Sequence, residues 1–551
     1  MESPFASLME RLHREFPDRV THDERNDELQ LYADAGNKHE AAFVKELETQ
    51  GRELCRIQGD DKNETAAATQ QAMSEGRAII FQAHLTRPPF AGYADFLVRT
   101  SIDPILYEVW DTKLAKRAKP YYLIQLCCYA EMLEAVQGKP PEFVAVILGD
   151  GKRARFRTDD YWFYYQQLKA AFLKQMDEFD PDADHPVPDP RADHGRWQSH
   201  AKEWLLDRDH LFQVANIAVS QIQKLNHAGI ETMAQLAQSK KSRIPQLNDD
   251  TYLRLVSQAA IQLKTREAQA KTQDGSEVRP AFQVLSQDPV NLRSGLALLP
   301  PTSPQDVYFD IEGFPLIEGG LEYLLGAVTV AKKKPQFHDW WAHDKAEEKR
   351  AFEQFIDWVM GRWKQDPSMH IYHYAAYEVS AMRRLMGRHA TQEDEVDALL
   401  RAEVFVDLYQ VVRQSIRLGA SNYSLKTIET LYQEQRKGDV KSAGASMVYY
   451  ANWMQSGEPR HWEKSKILKD IRDYNEVDCV STWQAAEWLR QLQAKENVAY
   501  LPKAGKPKDG AAATESVSTR SEAAQRRRQL ASQLLQQIPD KPATRAKHAE
   551  R

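Results

Sequence analysis

The sequence predicts an α/β multidomain chain in which two mixed-sheet domains flank a helical middle. Three observations carry that expectation. Short apolar runs such as Tyr107–Asp111 and Val307–Glu312 alternate with stretches of helical period at both ends of the chain, the pattern of packed sheets and helices. Residues 214–264, between them, read as helical throughout. The strand-like runs also end in, or carry, acids: Asp111 with Lys113, and Asp310 with Glu312. The chain has 551 residues, enough for about two to four domains.

Composition narrows the function classes. The formal charge is −6, yet from Leu501 onward the net charge is +6, leaving −12 on the first 500 residues. That balance argues against a coat of basic surface, but a chain that gathers acids for metals can still hold a polyanion through local patches. No apolar run has signal-peptide or membrane-spanning length, so a soluble, cytoplasmic protein with no membrane partner is expected. The four cysteines, Cys55, Cys127, Cys128 and Cys479, show no C-x-x-C spacing. Neither a zinc site nor a disulfide framework is indicated.

The first domain is expected over 1–175. Its helices are followed by strands at Ala78–Leu85, Ala94–Arg99 and Leu106–Asp111, a helix at Tyr121–Leu133, and a hairpin (Phe143–Leu148, Arg153–Arg157) turned by Gly149-Asp150-Gly151. On a strand, residues two apart share a face, so Asp111 and Lys113 aim at one point. Asp95 enters on the preceding strand, and Gln125 and Tyr129 lie one helical turn apart. Earlier, His39 sits in a helical stretch, with His13, His22 and His84 as alternatives. A carboxylate beside a lysine suits a hydrolytic metal centre.

This series resembles the RecB-like branch of the PD-(D/E)xK nucleases, which implies a restriction-endonuclease-like fold. The resemblance implies His39, Asp95 and Asp111 as ligands of Mg²⁺ or Mn²⁺, Lys113 as the catalytic lysine, and Gln125 and Tyr129 beside the site. Some relatives hold an iron–sulfur cluster on four cysteines; no cysteine lies between Cys128 and Cys479, so no iron–sulfur cluster is expected.

Residues 176–200 read as a linker rich in Pro, Asp and His, with His185 and His194 in solvent. A helical domain is expected over 201–268. There Ile217–Leu225, the turn His227-Ala228-Gly229-Ile230 and Glu231–Ala237 resemble a helix-hairpin-helix. In that device hairpin amides at a helix N-terminus hold a backbone phosphate. Gly229, Lys240, Lys241 and Arg243 are then the nucleic-acid-binding candidates. A small helical spacer accounts for the same pattern nearly as well.

After a second linker over 269–300, the last folded domain is expected over 301–497. Val307–Glu312 is an apolar strand bearing Asp310 and Glu312 on one side, a costly arrangement unless a metal or partner satisfies both. Strands at Tyr323–Val330, His370–Tyr374 and Val404–Leu408 follow, then a helix at Ile471–Leu489 with Tyr474 and Asp478 at i, i+4. That order resembles the Tyr-containing DEDD exonucleases of the RNase H-like superfamily, in particular the YprB-like type. The resemblance implies Asp310, Glu312, Glu378 and Asp478 as metal ligands and Tyr474 as the catalytic residue that orients water. Two positions depart from the pattern: Glu378 stands where Asp is usual and His373 where Asn is usual. Asp407 is auxiliary.

Together the domains resemble the TM0106-type family of RecB-like nucleases. The resemblance implies metal-dependent hydrolysis of DNA in repair, recombination or defence, with a separate helicase or ATPase as a partner. An RNA-processing 3′–5′ exonuclease and a non-catalytic nucleic-acid-binding scaffold stand as alternatives. The final segment, 498–551, reads as a basic disordered tail with Arg526-Arg527-Arg528.

Overall fold

The structure, a computed structural model, describes residues 3–24, 27–183, 186–189, 192–272, 278–433, 443–503 and Gln529. Apart from Gln529, the basic tail from residue 504 onward lies outside the described residues, as does His185. Two compact units emerge: Met1–His210 with Pro315–Gly320, and Leu211–Phe314 with Leu321–Arg551. Among the described residues no helix is long and apolar enough to cross a membrane.

In the first unit six strands form one sheet in chain order. They are β1 (Leu54–Arg56), β2 (Ile79–Arg87), β3 (Phe90–Ile102), β4 (Ile105–Thr112), β5 (Phe143–Ile147) and β6 (Arg153–Arg157). The β1–β2 and β4–β5 pairs are parallel and the others antiparallel. A parallel neighbour needs a crossover, and the helix Pro120–Gln137 supplies it between β4 and β5, opened by Pro120 and ended by left-handed Gly138 (φ 74°). Strand alternation sorts the core into two faces. Phe96, Val98, Trp110 and Ile147 pack on Phe43, Val44 and Leu47 of the helix Asp27–Thr49. Leu97, Tyr107, Val109 and Val146 pack on Leu123, Leu126 and Leu133 of the crossover helix. Strands β2 to β6 lie where the residue pattern puts them, whereas the short β1 is not marked by it.

His194 corrects an expectation. Its ring is buried (2% exposed), with Nδ1 2.7 Å from Ser3 Oγ and its edge against Phe5. Nearby Trp197 packs with Phe5, Met9 and Leu12, so the stretch read as a linker anchors the first helix. Polar composition suggested solvent, but one large aromatic suffices to bury its neighbours.

The second unit opens with a helical module closed around Leu225, Ile230, Leu236, Tyr252 and Leu255. Its long helix, Asp249–Lys271, runs past residue 264, where the helical reading stopped. The residues read as the second linker contain β7 (Phe282–Val284) and the buried Leu296 and Leu299. Strands β8 (Val307–Phe314), β9 (Leu321–Ala331), β10 (Lys334–Trp341), β11 (Ile371–His373) and β12 (Phe405–Asp407) form the main sheet, and β13 (Ile416–Leu418) pairs with β7. The sheet order is β10-β9-β8-β11-β12, with β11 parallel to both β8 and β12. The β9–β10 hairpin went unread because Lys332-Lys333 turns it with both residues left-handed (φ 52° and 61°), a geometry usually flagged by Asn-Gly.

Helices cover both faces of this sheet. Val307, Phe309 and Ile311 pack on Phe352, Phe355 and Ile356 of the helix Lys345–Gln365. Tyr308 points the other way, into the cluster holding Cys479, Ala485 and Leu489 of the helix Lys466–Lys495. Period-two alternation therefore turns Asp310 and Glu312 toward that second helix.

Candidate active site

The helix Lys466–Lys495 meets β8 at its acids. Tyr474, Asn475, Asp478 and Cys479 fall within about one and a half turns, on the face turned to the sheet. Ligand atoms of Asp310, Glu312 and Asp478 all lie within 4.8 Å of one another. Among the described residues no other group of three acidic, His or Cys side chains is so close. The crowding shows in the protonation equilibria. Burial, and then the Asp478 charge, push the Glu312 carboxyl up to about 8. Three carboxylates, Glu312 buried and Asp310 and Asp478 half-buried, offer only oxygen donors and fit a hard divalent cation, which would neutralise their crowded charge.

The surrounding groups set geometry. Asn475 Nδ2 donates to Asp310 Oδ2 at 2.7 Å. Gly326, paired with Asp310 across β8–β9, leaves the space for it: a Cβ there would stand 1.6 Å from Asn475 Oδ1. Tyr323 OH lies 2.6 Å from Ser446 Oγ, whose hydroxyl bonds to Glu312. Burial, then the charges of Asp478, Glu312 and Asp310, hold the Tyr474 phenol well above its usual range. Its hydroxyl thus stays protonated at neutral pH and hydrogen-bonds with Asp478. Lys426 Nζ lies 5.2 Å from the Tyr474 ring centroid.

Residues 307–490 match the RNase_H_2 family of the RNase_H superfamily. This part of the chain is an RNase H-like domain. The match points to nuclease chemistry and a nucleic-acid substrate, and the acid triad is a candidate site for the divalent metal such nucleases use. No curated protein and no solved structure matches the chain.

Within the RNase H-like domain, Glu378 stands outside the acid triad. Its carboxylate is buried, 3.3 Å from His373 Nδ1, and burial raises its pKa. His373 Nδ1 also lies 2.6 Å from Ala375 O. Asp407 caps the helix Leu408–Ser415 and accepts from Ala375 N–H at 2.9 Å. The turn that brings in Glu378 is thus held by His373 and Asp407 together. Asn475, Gly326, Ser446 and Lys426 were missed from the sequence. Only Asn475 carried a signal, lying three residues before Asp478 on the same helix face.

In the first unit, β3 and β4 pair Phe96 with Trp110, so Asp95 and Asp111 occupy the next opposed positions. Asp95 Oδ2 accepts from Thr112 N–H at 2.8 Å and from Thr112 Oγ1 at 2.7 Å. Asp111 is buried and ion-paired with Lys113. Burial, then the Asp95 charge, push the Asp111 carboxyl up to about 7. Gln125 Nε2 lies 3.5 Å from Tyr129 OH, and Gly92 leaves room for the Tyr129 ring, which a Cβ would approach to 2.9 Å. His39 Nε2 lies 3.4 Å from Ile147 O, the carbonyl that accepts from Lys113 N–H at 2.8 Å. Its neighbour Glu40, about 100° around the helix, lies close enough to feel the charges of Asp95 and Lys113. Burial and the Asp95 charge raise the Glu40 pKa, and its carboxylate accepts from Gln82 Nε2 at 3.2 Å. Of the alternative histidines, His84 is buried against Thr65 and Tyr93, a core residue.

In the helical module Gly229 is left-handed (φ 76°) and exposed, as are Lys240, Lys241 and Arg243. The hairpin amides are already engaged, however. Gly229 N–H donates to Asn226 O and Ile230 N–H to Leu225 O, both at 2.9 Å. Gln235 Oε1 accepts from Glu231 N–H at 2.7 Å.

Proposed function

We propose that the chain is a divalent-metal-dependent nuclease whose RNase H-like domain hydrolyses phosphodiester bonds, with DNA as the substrate. The observation that carries this reading is the convergence of Asp310, Glu312 and Asp478. A divalent cation held there supplies charge stabilisation and a more acidic water when bound. Asn475 fixes the Asp310 carboxylate, and the protonated Tyr474 hydroxyl orients the attacking water. The water oxygen bonds to phosphorus as the bond to the leaving oxygen breaks, giving a phosphate monoester and a free hydroxyl. The buried Glu378–His373 pair holds the adjoining turn.

The opposed Asp95 and Asp111, with Lys113 and Glu40 beside them, support a second, RecB-like centre in the first unit. DNA, as opposed to RNA, is favoured by the resemblance of that unit to DNA nucleases, as is a role in repair, recombination or defence alongside a separate helicase. The test is cleavage of labelled single- and double-stranded DNA and RNA with Mg²⁺ or Mn²⁺, comparing the parent, Lys113→Ala, and Asp310→Ala with Glu312→Ala. Loss only in the double variant is expected if the RNase H-like domain does the chemistry. Loss with Lys113→Ala alone would move the chemistry to the first unit, and a parent inert on every substrate would leave a binding scaffold.

A further inference from the structure

A cavity of about 40 Å³ opens in the second unit where the helical module meets β13. Ala215, Leu255 and Ile416 are among the residues that line it. Three arginines stand around it from three different elements. Arg254 comes from the helix Asp249–Lys271, Arg413 from the helix Leu408–Ser415, and Arg417 from β13. No carboxylate forms an ion pair with any of them among the described residues; Arg413 instead lies 5.6 Å from the Tyr409 ring centroid. Three like charges around one cavity, with no acid to balance them, repel one another in the absence of an anion.

The scaffold behind them is rigid. Gln258 Nε2 donates to Leu418 O at 2.7 Å, and Tyr423 OH donates to Gln258 Oε1 at 2.8 Å while accepting from Leu418 N–H at 3.0 Å. Gln262 Oε1 accepts from Ala215 N–H at 2.8 Å. These bonds lock the long helix to β13, so the guanidinium groups are carried on a fixed frame. Burial and the Arg254 charge lower the Arg417 pKa against the opposing effect of Tyr423.

We propose that Arg254, Arg413 and Arg417 form a phosphate-binding site, and that its occupant is a backbone phosphate of the nucleic-acid strand. The planar forks of arginine match phosphate oxygens in pairs, and one anion removes the mutual repulsion. The identity of the occupant as a strand rests on the nuclease reading above; the anion chemistry does not. It also supplies what the engaged amides of the Gly229 hairpin do not offer, guanidinium donors without carboxylate partners, of which, among the described residues, Arg413 Nη1 alone reaches a neighbour, Tyr409 OH at 3.5 Å. Contacts of this kind hold register without reading sequence.

The test measures binding of a labelled single strand to the full chain in EDTA over a salt series, so that no cleavage intervenes. The proteins are the parent, Arg254→Ala with Arg417→Ala, and the charge-preserving Arg254→Lys with Arg417→Lys. The alanine pair should bind about tenfold or more weakly, with a salt slope shallower by roughly one to two, while the lysine pair keeps the slope. Inorganic phosphate should raise the melting temperature of the parent more than that of the alanine pair, a readout that does not require a strand. Competition by inorganic phosphate or a 5′-mononucleotide as effective as by the strand would assign a single phosphate group as occupant; competition by the strand alone would assign the backbone. Parent-like affinity and slope in the alanine pair would overturn the proposal. Cleavage is assayed separately with Mg²⁺: arginine-dependent binding without cleavage sinks only the nuclease reading, and cleavage with arginine-independent binding sinks only this one.

Discussion

Asn475 donates a 2.7 Å hydrogen bond to Asp310 across the one position of β9, Gly326, that carries no side chain. A methyl group at 326 would fall 1.6 Å from Asn475 Oδ1 and 2.8 Å from its Cγ. The helix Lys466–Lys495 can therefore approach the sheet only over glycine, and that approach brings Asp478 to Asp310 and Glu312. Gly326→Ala should displace Asn475 and loosen the triad. Nuclease activity is expected to fall about 10²-fold, since small misplacements at a reacting centre cost that much. Overpacking should lower stability by about 1–3 kcal/mol. Cleavage rates and thermal unfolding of the same variant check both parts; full activity would show that Asn475 has no positioning role.

Crowded carboxylates predict a stability response to metal that needs no turnover. A cation bound only by the folded state stabilises it by mass action, about 2.7 kcal/mol at a hundredfold excess over its dissociation constant. Mg²⁺ or Mn²⁺ should raise the melting temperature of the parent, and chelation should reverse the shift. Asp310→Asn removes one ligand charge and should abolish most of the response. An equal shift in the variant would place the responding ion elsewhere.

Glu348 ties together the far side of the RNase H-like domain. Fully buried, it accepts from Glu322 N–H at 2.7 Å, from Arg388 at 2.8 and 2.9 Å, and pairs with His389 at 2.8 Å. Burial alone would raise its pKa, but these hydrogen bonds outweigh it and hold the carboxyl below its ordinary value of 4.5. Its contribution to stability is thus present above pH 4.5 and lost as the pH falls through the lower folded value. Glu348→Gln should flatten that acid limb in a plot of unfolding free energy against pH. Glu348→Ala, which strands Arg388 and His389, should cost about 3–5 kcal/mol at neutral pH. A parent and Gln variant with parallel acid limbs would remove Glu348 from the account.

Much of the candidate chemistry was legible in the sequence because strands and helices impose short, fixed periods. Asp310 and Glu312 on one strand face, Tyr474 and Asp478 one helical turn apart, and Asp111 beside Lys113 follow from periods of two and 3.6 alone. So do β8, β9, β11 and β12 of the strands that the RNase H-like match covers, whereas β10 and β13 do not. Period cannot say which side chains a helix brings to a distant strand, and in the first unit Glu40, unread in the sequence, meets the charge of Asp95.

Tertiary structure decided the rest, because it depends on contacts between residues far apart in the chain. Asn475 reaches Asp310 from 165 positions away, over a glycine that nothing local marks. Arg254 meets Arg413 and Arg417 only when the long helix is locked to β13 through Gln258. His194 is buried because Ser3 and Phe5 cover it. Local chemistry selected the elements and the groups they carry; long-range packing determined which of those groups share a site.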